Sequence, residues 1–342
     1  MPALERLITE EKAQTPMQHT LLWQNDKLRT DAAPAALRAA RTEPGALFWI
    51  DIAEDVNASM NMLATTCALS RITLDSVRDQ QERAKLVQGK EYFHLVAHGM
   101  TFDTAAQTAV TPKLDIIFGA NFLVTVHEAE MPWLKRLWDA VRTGKTDENE
   151  MQRGAAYLLY AVMDALVDSY FPVLDDLDDM IDDLENVTVR DTSNEVQARI
   201  FRMKRSLAQM RRVISPQVEV ANALITRTGE TIPREAEPLF ADVHDHLVRV
   251  FEVLDSYRDL MSGLLDVYLT TVSNRLNAVM KQLTIIATIF MPITFITGVF
   301  GQNFGHLPQV EHDNGSAFFV VLAAMALITV AQIWYFKRKD WL

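Results

Sequence analysis

Two stretches near the end of the chain, Leu283 to Phe300 and Ala317 to Phe336, run without a single charged residue. Each is close to the roughly 20 apolar residues that a helix needs to cross a bilayer. Lipid offers no hydrogen bonds, so a spanning backbone must satisfy its own polar groups, and both stretches are expected to be transmembrane helices. Arg275 and Lys281 precede the first, Lys337, Arg338 and Lys339 follow the second, and the connecting loop 301–316 has no Lys or Arg. Positive residues stay on the cytoplasmic side, which predicts both termini in the cytoplasm and the loop outside. Trp334, Tyr335 and Trp341 fall where an interfacial aromatic belt belongs.

The rest of the chain reads as water-soluble. Its 33 basic and 45 acidic side chains leave a net charge of −12, which disfavours nucleic acid as a partner and favours cations. The lone Cys67 can close no intramolecular disulfide and points to a reducing compartment. Residues 1–20 carry Glu5, Arg6, Glu10, Glu11 and Lys12 with no run long enough for a secretory signal, so a cytoplasmic N-terminal part is expected.

Residues 1–150 read as an α/β domain. Leu47–Ile52, Tyr92–Ala97, Leu114–Phe118 and Phe122–Val126 are short β-branched or aromatic runs, hence strands, and helical stretches lie near Ala33–Thr42, Val56–Cys67 and Pro132–Arg142. Residues 151–232 read as a helical hairpin with helices over 155–187 and 194–226. Its tip gathers Asp175, Asp176, Asp178, Asp179, Asp182, Asp183, Glu185 and Asp191, either as a solvated face or as an attractor of cations. A further helix starts near Pro233 or Pro238, and no residue stops it before Gly298. At about 1.5 Å per residue it would extend about 90 Å, more than any bilayer, so a stalk over 233–282 is expected to run into the span 283–300. A loop 301–316, the span 317–336 and a basic tail 337–342 complete the chain.

Along the end of the stalk and the first span Asn277, Met280, Thr284, Ala287, Met291, Thr294 and Gly298 recur at spacings of three and four, one face of a helix. A stripe of small, polar and Met residues on an otherwise bulky helix suits the lining of a pore, and it equally suits close helix packing. Thr288 and Thr297 fall off the stripe, and Pro292 should leave the Thr288 carbonyl without its helical donor. On the stalk, Asp242, His244, Asp245 and His246 have the chemistry of metal ligands, but position 244 points away from the others and a solvated face is the simpler reading. His94 and His98 lie on a strand segment. There is no HExxH, no phosphate-cradling glycine loop and no Cys or Ser nucleophile context, so no enzyme is expected. A membrane-anchored sensor or scaffold remains a rival to transport.

The segment Met291–Asn303, MPITFITGVFGQN, with the terminal KRKDWL, resembles the signature of the CorA family of divalent-cation transporters. That family's hallmark Gly-x-Asn triplet is present as Gly301, Gln302 and Asn303, and the likeness extends to Ser262–Asn277 and Tyr157–Phe171. Phe300 stands where the family has Tyr, and Gln302 where it has Met. The loop Phe304–Pro308 resembles the magnesium branch more than the zinc-transporting ZntB branch, with Mg2+, Zn2+, Co2+ and Ni2+ all open as cargo and proton coupling conceivable for zinc.

The resemblance implies a multi-pass protein of the inner cell membrane, a funnel-shaped homopentamer whose partners are its own copies, the lipid bilayer and divalent cations. It implies that the stripe faces the pore and adds Leu283 as a hydrophobic constriction. Gly301, Gln302 and Asn303 would form the selectivity filter. Mg2+ sheds its waters reluctantly, and a ring of Asn303 carboxamides could accept hydrogen bonds from the hydrated ion; capping of the helix end is the other role open to Asn303. Glycine at 301 is expected to permit a sharp backbone there. Glu311 and Asp313 would concentrate cations at the outer mouth. The resemblance also implies a regulatory Mg2+ between subunits, with Asp242 matching the stalk acid. Its partner position holds Ser76, with Asp75 beside it and Asp79 further on.

Overall fold

The computed structural model describes residues 17–53, 56–145, 149–227, 231–302, 316–339 and 341. The chain divides into two compact units, Met1–Leu265 and Asp266–Leu342.

The first unit is built on a seven-stranded sheet. In chain order come β1 (Met17–Gln24), β2 (Lys27–Thr30), α1 (Pro34–Ala40), β3 (Leu47–Ala53), α2 (Val56–Thr66), α3 (Arg71–Arg78), β4 (Lys85–Gln88) and β5 (Phe93–His98). A small hairpin, β6 (Thr101–Asp103) and β7 (Thr108–Val110), precedes β8 (Lys113–Phe118), β9 (Phe122–His127), α4 (Pro132–Thr143) and α5 (Glu150–Arg153). The sheet order is β2-β1-β3-β9-β8-β5-β4, and only the central pair β3–β9 is parallel. The strands expected from their apolar runs are present as β3, β5, β8 and β9, every residue from Leu47 to Ile52 being buried. Such strands are mostly apolar rather than alternating because both sheet faces are covered, and their few polar residues, Asp51, His94, Lys113 and Asp115 among them, are buried as well. One face packs Phe48, Ile50 and Val124 against Leu37, Met60 and Leu63 of α1 and α2. On the other, the Trp49 ring lies 4.5 Å from that of Trp138 in α4.

The hairpins β1–β2 and β6–β7 were absent from the sequence reading. In the first, Asn25 and Asp26 both take positive φ (53° and 56°), the mirror-image turn that matches strand twist, without the Asn-Gly pair that usually announces it. In the second, the amides of Ala105 and Ala106 donate to Asp103 Oδ1, both at 2.9 Å.

After the sheet come α6 (Ala155–Asp168), α7 (Phe171–Thr188), α8 (Asn194–Arg227), a 3-10 turn at Arg234–Ala236 and α9 (Glu237–Phe300), with α10 (Ser316–Arg338) last. The single helix expected over 155–187 is interrupted at Ser169–Tyr170, because Pro172 has no N–H for the Asp168 carbonyl. In α8, Ile200, Met203, Leu207, Met210 and Ile214 are fully buried at spacings of three and four, and in α9 Phe240, Val243, Leu247, Val250 and Leu254 repeat the pattern. Arg211 bridges to Asp255 at 2.9 Å, and Arg199 ties the start of α8 to Asp183 near the end of α7 at 2.8 Å. The acids of the α7 tip point outward from Leu177, Ile181 and Leu184.

Among the described residues, three helical stretches are long and apolar enough to cross a membrane: Ala155–Thr188, Arg234–Phe300 and Phe319–Arg338. Half of the apolar window in the first is buried within the protein, against 6% in the other two. The apolar side chains of α6–α7 are therefore to a large extent covered by the protein itself, and those at the end of α9 and in α10 are mostly exposed.

Leu207 is the test of the helical seam. Leu207→Ala should lower stability by about 3 kcal/mol, the cost of an unfilled core site, read as a fall in the thermal midpoint of the purified protein.

Candidate functional site

In the second unit α9 passes through Pro292 without a break. Pro292 cannot donate to the Thr288 carbonyl, and the side-chain amide of Gln332 in α10 takes its place: Nε2 donates to that oxygen at 3.0 Å. The freed carbonyl was legible from the proline. Gln332 was overlooked, although an amide inside an apolar span is a signal that it faces protein rather than lipid. Thr284, Thr288 and Thr297 donate to the carbonyls of Met280, Thr284 and Ile293, at 2.8, 2.8 and 3.0 Å, which leaves their oxygen lone pairs to face outward.

Ile285 is buried, and Ile289, Pro292, Ile293 and Ile296 are half-buried. At about 100° per residue they share one side of α9, next to Thr288 and its Gln332 bond. The stripe of Asn277, Met280, Thr284, Ala287, Met291, Thr294 and Gly298, with Leu283 at its border, lies on the opposite side and is exposed throughout. Met280, Leu283 and Met291 are 59%, 58% and 69% exposed. The chain's own second helix thus leaves the stripe exposed, with only Thr284, at its edge, bordering a groove shared with Gln332 and Tyr335 of α10.

Gly301 closes the helix by donating to the Thr297 carbonyl at 2.8 Å. Its φ is not among the positive values, so the sharp left-handed backbone expected there is not the reason for glycine. The reason is space: a Cβ at 301 would stand 2.9 Å from the Thr297 carbonyl oxygen. Gln302 follows in a bend, its amide 3.4 Å from the Val299 carbonyl. Asn303, Glu311 and Asp313 lie outside the described residues.

In the first unit, α9 presents Asp242 and His246 one helical turn apart, and α6 adds Asp164. Their ligand atoms all fall within 4.8 Å of one another, and among the described residues no other three His, Cys, Asp or Glu side chains do so. Burial, with Asp168 and Asp242 nearby, raises the Asp164 pKa, and burial with Asp164 and Asp242 does the same to the Tyr160 phenol. Negative charge is therefore under-compensated here. His244 turns instead to its neighbour Asp245, at 3.3 Å. Asp242 and Asp245 are exposed, as a solvated face requires, and His244 and His246 are half-buried; what the sequence did not show is that Asp242 and His246 come together with Asp164. Asp164 was missed because nothing in its own apolar helix announces a partner on another helix.

Asp75 and Asp79 stand apart from this cluster within one chain. Asp75 pairs with Arg78 at 3.5 Å and Arg71 at 3.8 Å, and Asp79 ends α3 and accepts from the Gln81 amide. The Ser76 hydroxyl donates inward to Glu82, and the buried Lys113 ammonium donates to the Ser76 carbonyl at 2.7 Å.

Comparison with known proteins gives a consistent answer. The family model described as CorA-like Mg2+ transporter protein matches residues 44–338. The cobalt/magnesium transport protein CorA of Thermotoga maritima is 37% identical over 277 residues, 79% of this chain and 76% of that one. The zinc transport protein ZntB of Yersinia pseudotuberculosis is 21% identical over 304 residues, 89% of this chain and 90% of that one. Among solved structures, the complete CorA magnesium transporter of Methanocaldococcus jannaschii superposes with a TM-score of 0.81 at 22% identity, covering 95% of this chain and 98% of that one.

The Gln332 bond makes a prediction for the helix pair. Gln332→Leu leaves the Thr288 carbonyl orphaned and should cost about 1 kcal/mol, seen as a lowered thermal midpoint in detergent, whereas Thr329→Val, which removes only a bond within α10, should leave it near the parent value.

Proposed function

The chain belongs to the family of CorA-like Mg2+ transporter proteins, a family of divalent-cation transporters, and from that premise we propose that it is a Mg2+ channel formed by five identical copies. The observation that carries this reading is the exposed stripe on α9, on the side away from the Gln332 contact. Five such helices, stripes inward, would make an aqueous conduit with Asn277, Thr284 and Thr294 as polar rings. Met280, Leu283 and Met291 would form dry constrictions that gate by dewetting. Asn303 carboxamides at the end of α9, in the filter of Gly301, Gln302 and Asn303, would accept hydrogen bonds from a hydrated ion and so avoid the cost of stripping it. Glu311 and Asp313 would raise the cation concentration at the outer mouth, and both termini would lie in the cytoplasm.

Regulation follows from the under-compensated acids. A cytosolic Mg2+ held by Asp242, with Asp164 of the same chain and Asp75 or Asp79 of a neighbouring copy, would bridge subunits and hold the pore shut. An acid whose pKa is raised in the fold binds protons more tightly folded than unfolded, so its contribution favours folding at low pH and is lost as pH rises through the raised value. Mg2+ should therefore raise the thermal midpoint strongly at pH 7 and weakly near pH 4. Asp164→Asn or Asp242→Asn should abolish that rise; an unchanged Mg2+ response in both would remove the regulatory site.

A zinc reading draws on Gln302 in place of the usual Met. Uptake into proteoliposomes separates the two: Mg2+ flux without a pH gradient supports the channel, and Zn2+ flux that requires one supports the alternative. Asn303→Ala should reduce Mg2+ uptake at least about tenfold, a loss of about 1.4 kcal/mol in the barrier terms of the pore.

A further inference from the structure

Lys113, the first residue of β8, carries an ammonium inside the α/β domain and is only 5% exposed. Its Nζ donates to the Ser76 carbonyl at 2.7 Å and to that of Val77 at 3.5 Å, and it lies 3.0 Å from Asp115 Oδ2 and 4.0 Å from Glu82 Oε2. Asp115 is met from its other side by His94 at 2.7 Å. Taking a charge out of water is costly, and an apolar residue of similar size would fill the same space with no loss of stability. What the charge adds is a fixed place for the groups it meets.

Two of those groups belong to the last turn of α3, whose carbonyls lack helical donors and form the negative end of the helix dipole. Eight residues are too few for a helix to hold its shape alone. The inward side of α3 offers little anchorage, since its buried residues are Thr73, Ser76 and Val77. Two side chains hold its ends instead. At the start, the Tyr92 hydroxyl accepts from the Ser70 amide at 3.0 Å and lies 2.7 Å from Thr73 Oγ1. At the finish, Lys113 shares the Ser76 carbonyl with the Asp79 amide, 3.1 Å away, while the Ser76 hydroxyl and Lys85 both donate to Glu82 beyond the turn. The outward side of α3 carries Ile72, Asp75 and Asp79, all exposed. Asp75 is therefore the residue before the carbonyl that Lys113 grips, and Asp79 is bonded to that carbonyl through its own amide.

We propose that Lys113 is a positioning residue for the regulatory cation: by fixing the last turn of α3 it aims Asp75 and Asp79 at a divalent ion shared with a neighbouring copy. This role rests on the bridging-cation reading given above and adds to it the group that sets where its acids stand. It needs the charge and not only the bulk, because an apolar side chain cannot hold carbonyl oxygens.

The test uses the full-length protein in detergent with Lys113→Met, which keeps the bulk, removes the charge and leaves Asp115 to His94. Without Mg2+, the amides of 74–79 should exchange with solvent at least about tenfold faster and those of β3 at the parent rate. The Mg2+ concentration for half of the maximal protection from protease, at a temperature where both proteins are folded, should rise about tenfold with the maximum kept. A merely structural lysine would lower the thermal midpoint and leave that concentration where it was. Should Lys113→Met not fold, Glu82→Gln loosens the same grip from a half-buried position and should raise the concentration about threefold, the worth of one weakened hydrogen bond. In the same assay Asp75→Asn combined with Asp79→Asn reports on the bridging reading: a raised concentration supports it, and no change overturns both it and the role of Lys113. A raised concentration there with none in folded Lys113→Met or its substitute Glu82→Gln, or unaltered exchange over 74–79, overturns the role of Lys113 alone.

Discussion

A carbonyl oxygen in hydrocarbon must find a donor, and Pro292 withholds one in the middle of an apolar helix. The consequence is that α9 and α10 cannot pack indifferently. Gln332 has to face Thr288, and this places Ile285, Ile289, Ile293 and Ile296 on the side of α9 near α10. The remaining side, with its small residues, threonine oxygens and thioethers, is then the one left to face water or other copies. A single missing N–H thus helps to set which surface of the helix α10 leaves exposed.

The same logic of unmet charge runs through the first unit. Lys113, buried, is met by Asp115 at 3.0 Å and by the Ser76 carbonyl, and His94 meets Asp115 at 2.7 Å, so that group is internally neutralised. Asp164, Asp168 and Asp242 are not neutralised in this way, and the raised pKa of Asp164 records the excess. Asp51 and His127 form a buried ion pair at 3.4 Å, in which burial pulls the His127 pKa down and the Asp51 carboxylate more than offsets it and raises it. These clusters differ in how much positive charge the chain itself supplies, and the deficit is largest around the half-buried Asp164, between the exposed Asp168 and Asp242.

Much of this was legible in the chain, and what was missed shares a cause. Strands buried on both faces, such as Leu47–Ile52, show as apolar runs with at most an isolated polar residue such as Asp51, and charge-free spans show as gaps between clusters of Lys and Arg. The stripe on α9 shows as a three-four repeat because it is local to one helix. By contrast β1–β2 turns on Asn25–Asp26, whose positive φ needs no glycine, and the break before Phe171 rests on one proline near the start of a new helix. The roles of Gln332, Asp164 and Gly301 depend on what another helix or a preceding turn brings within 3–5 Å. Sequence periodicity reports which face a residue occupies, and it is silent on which element that face meets.

The central claim is that the stripe side of α9 lines the ion path. Single cysteines placed along α9 in a Cys67→Ala background, probed with a small charged thiol reagent during Mg2+ flux into proteoliposomes, test it position by position. The account predicts block at 284, 287, 291 and 294 and none at 285, 289, 293 and 296. Block that follows the isoleucine positions, or none anywhere along the helix, would contradict it.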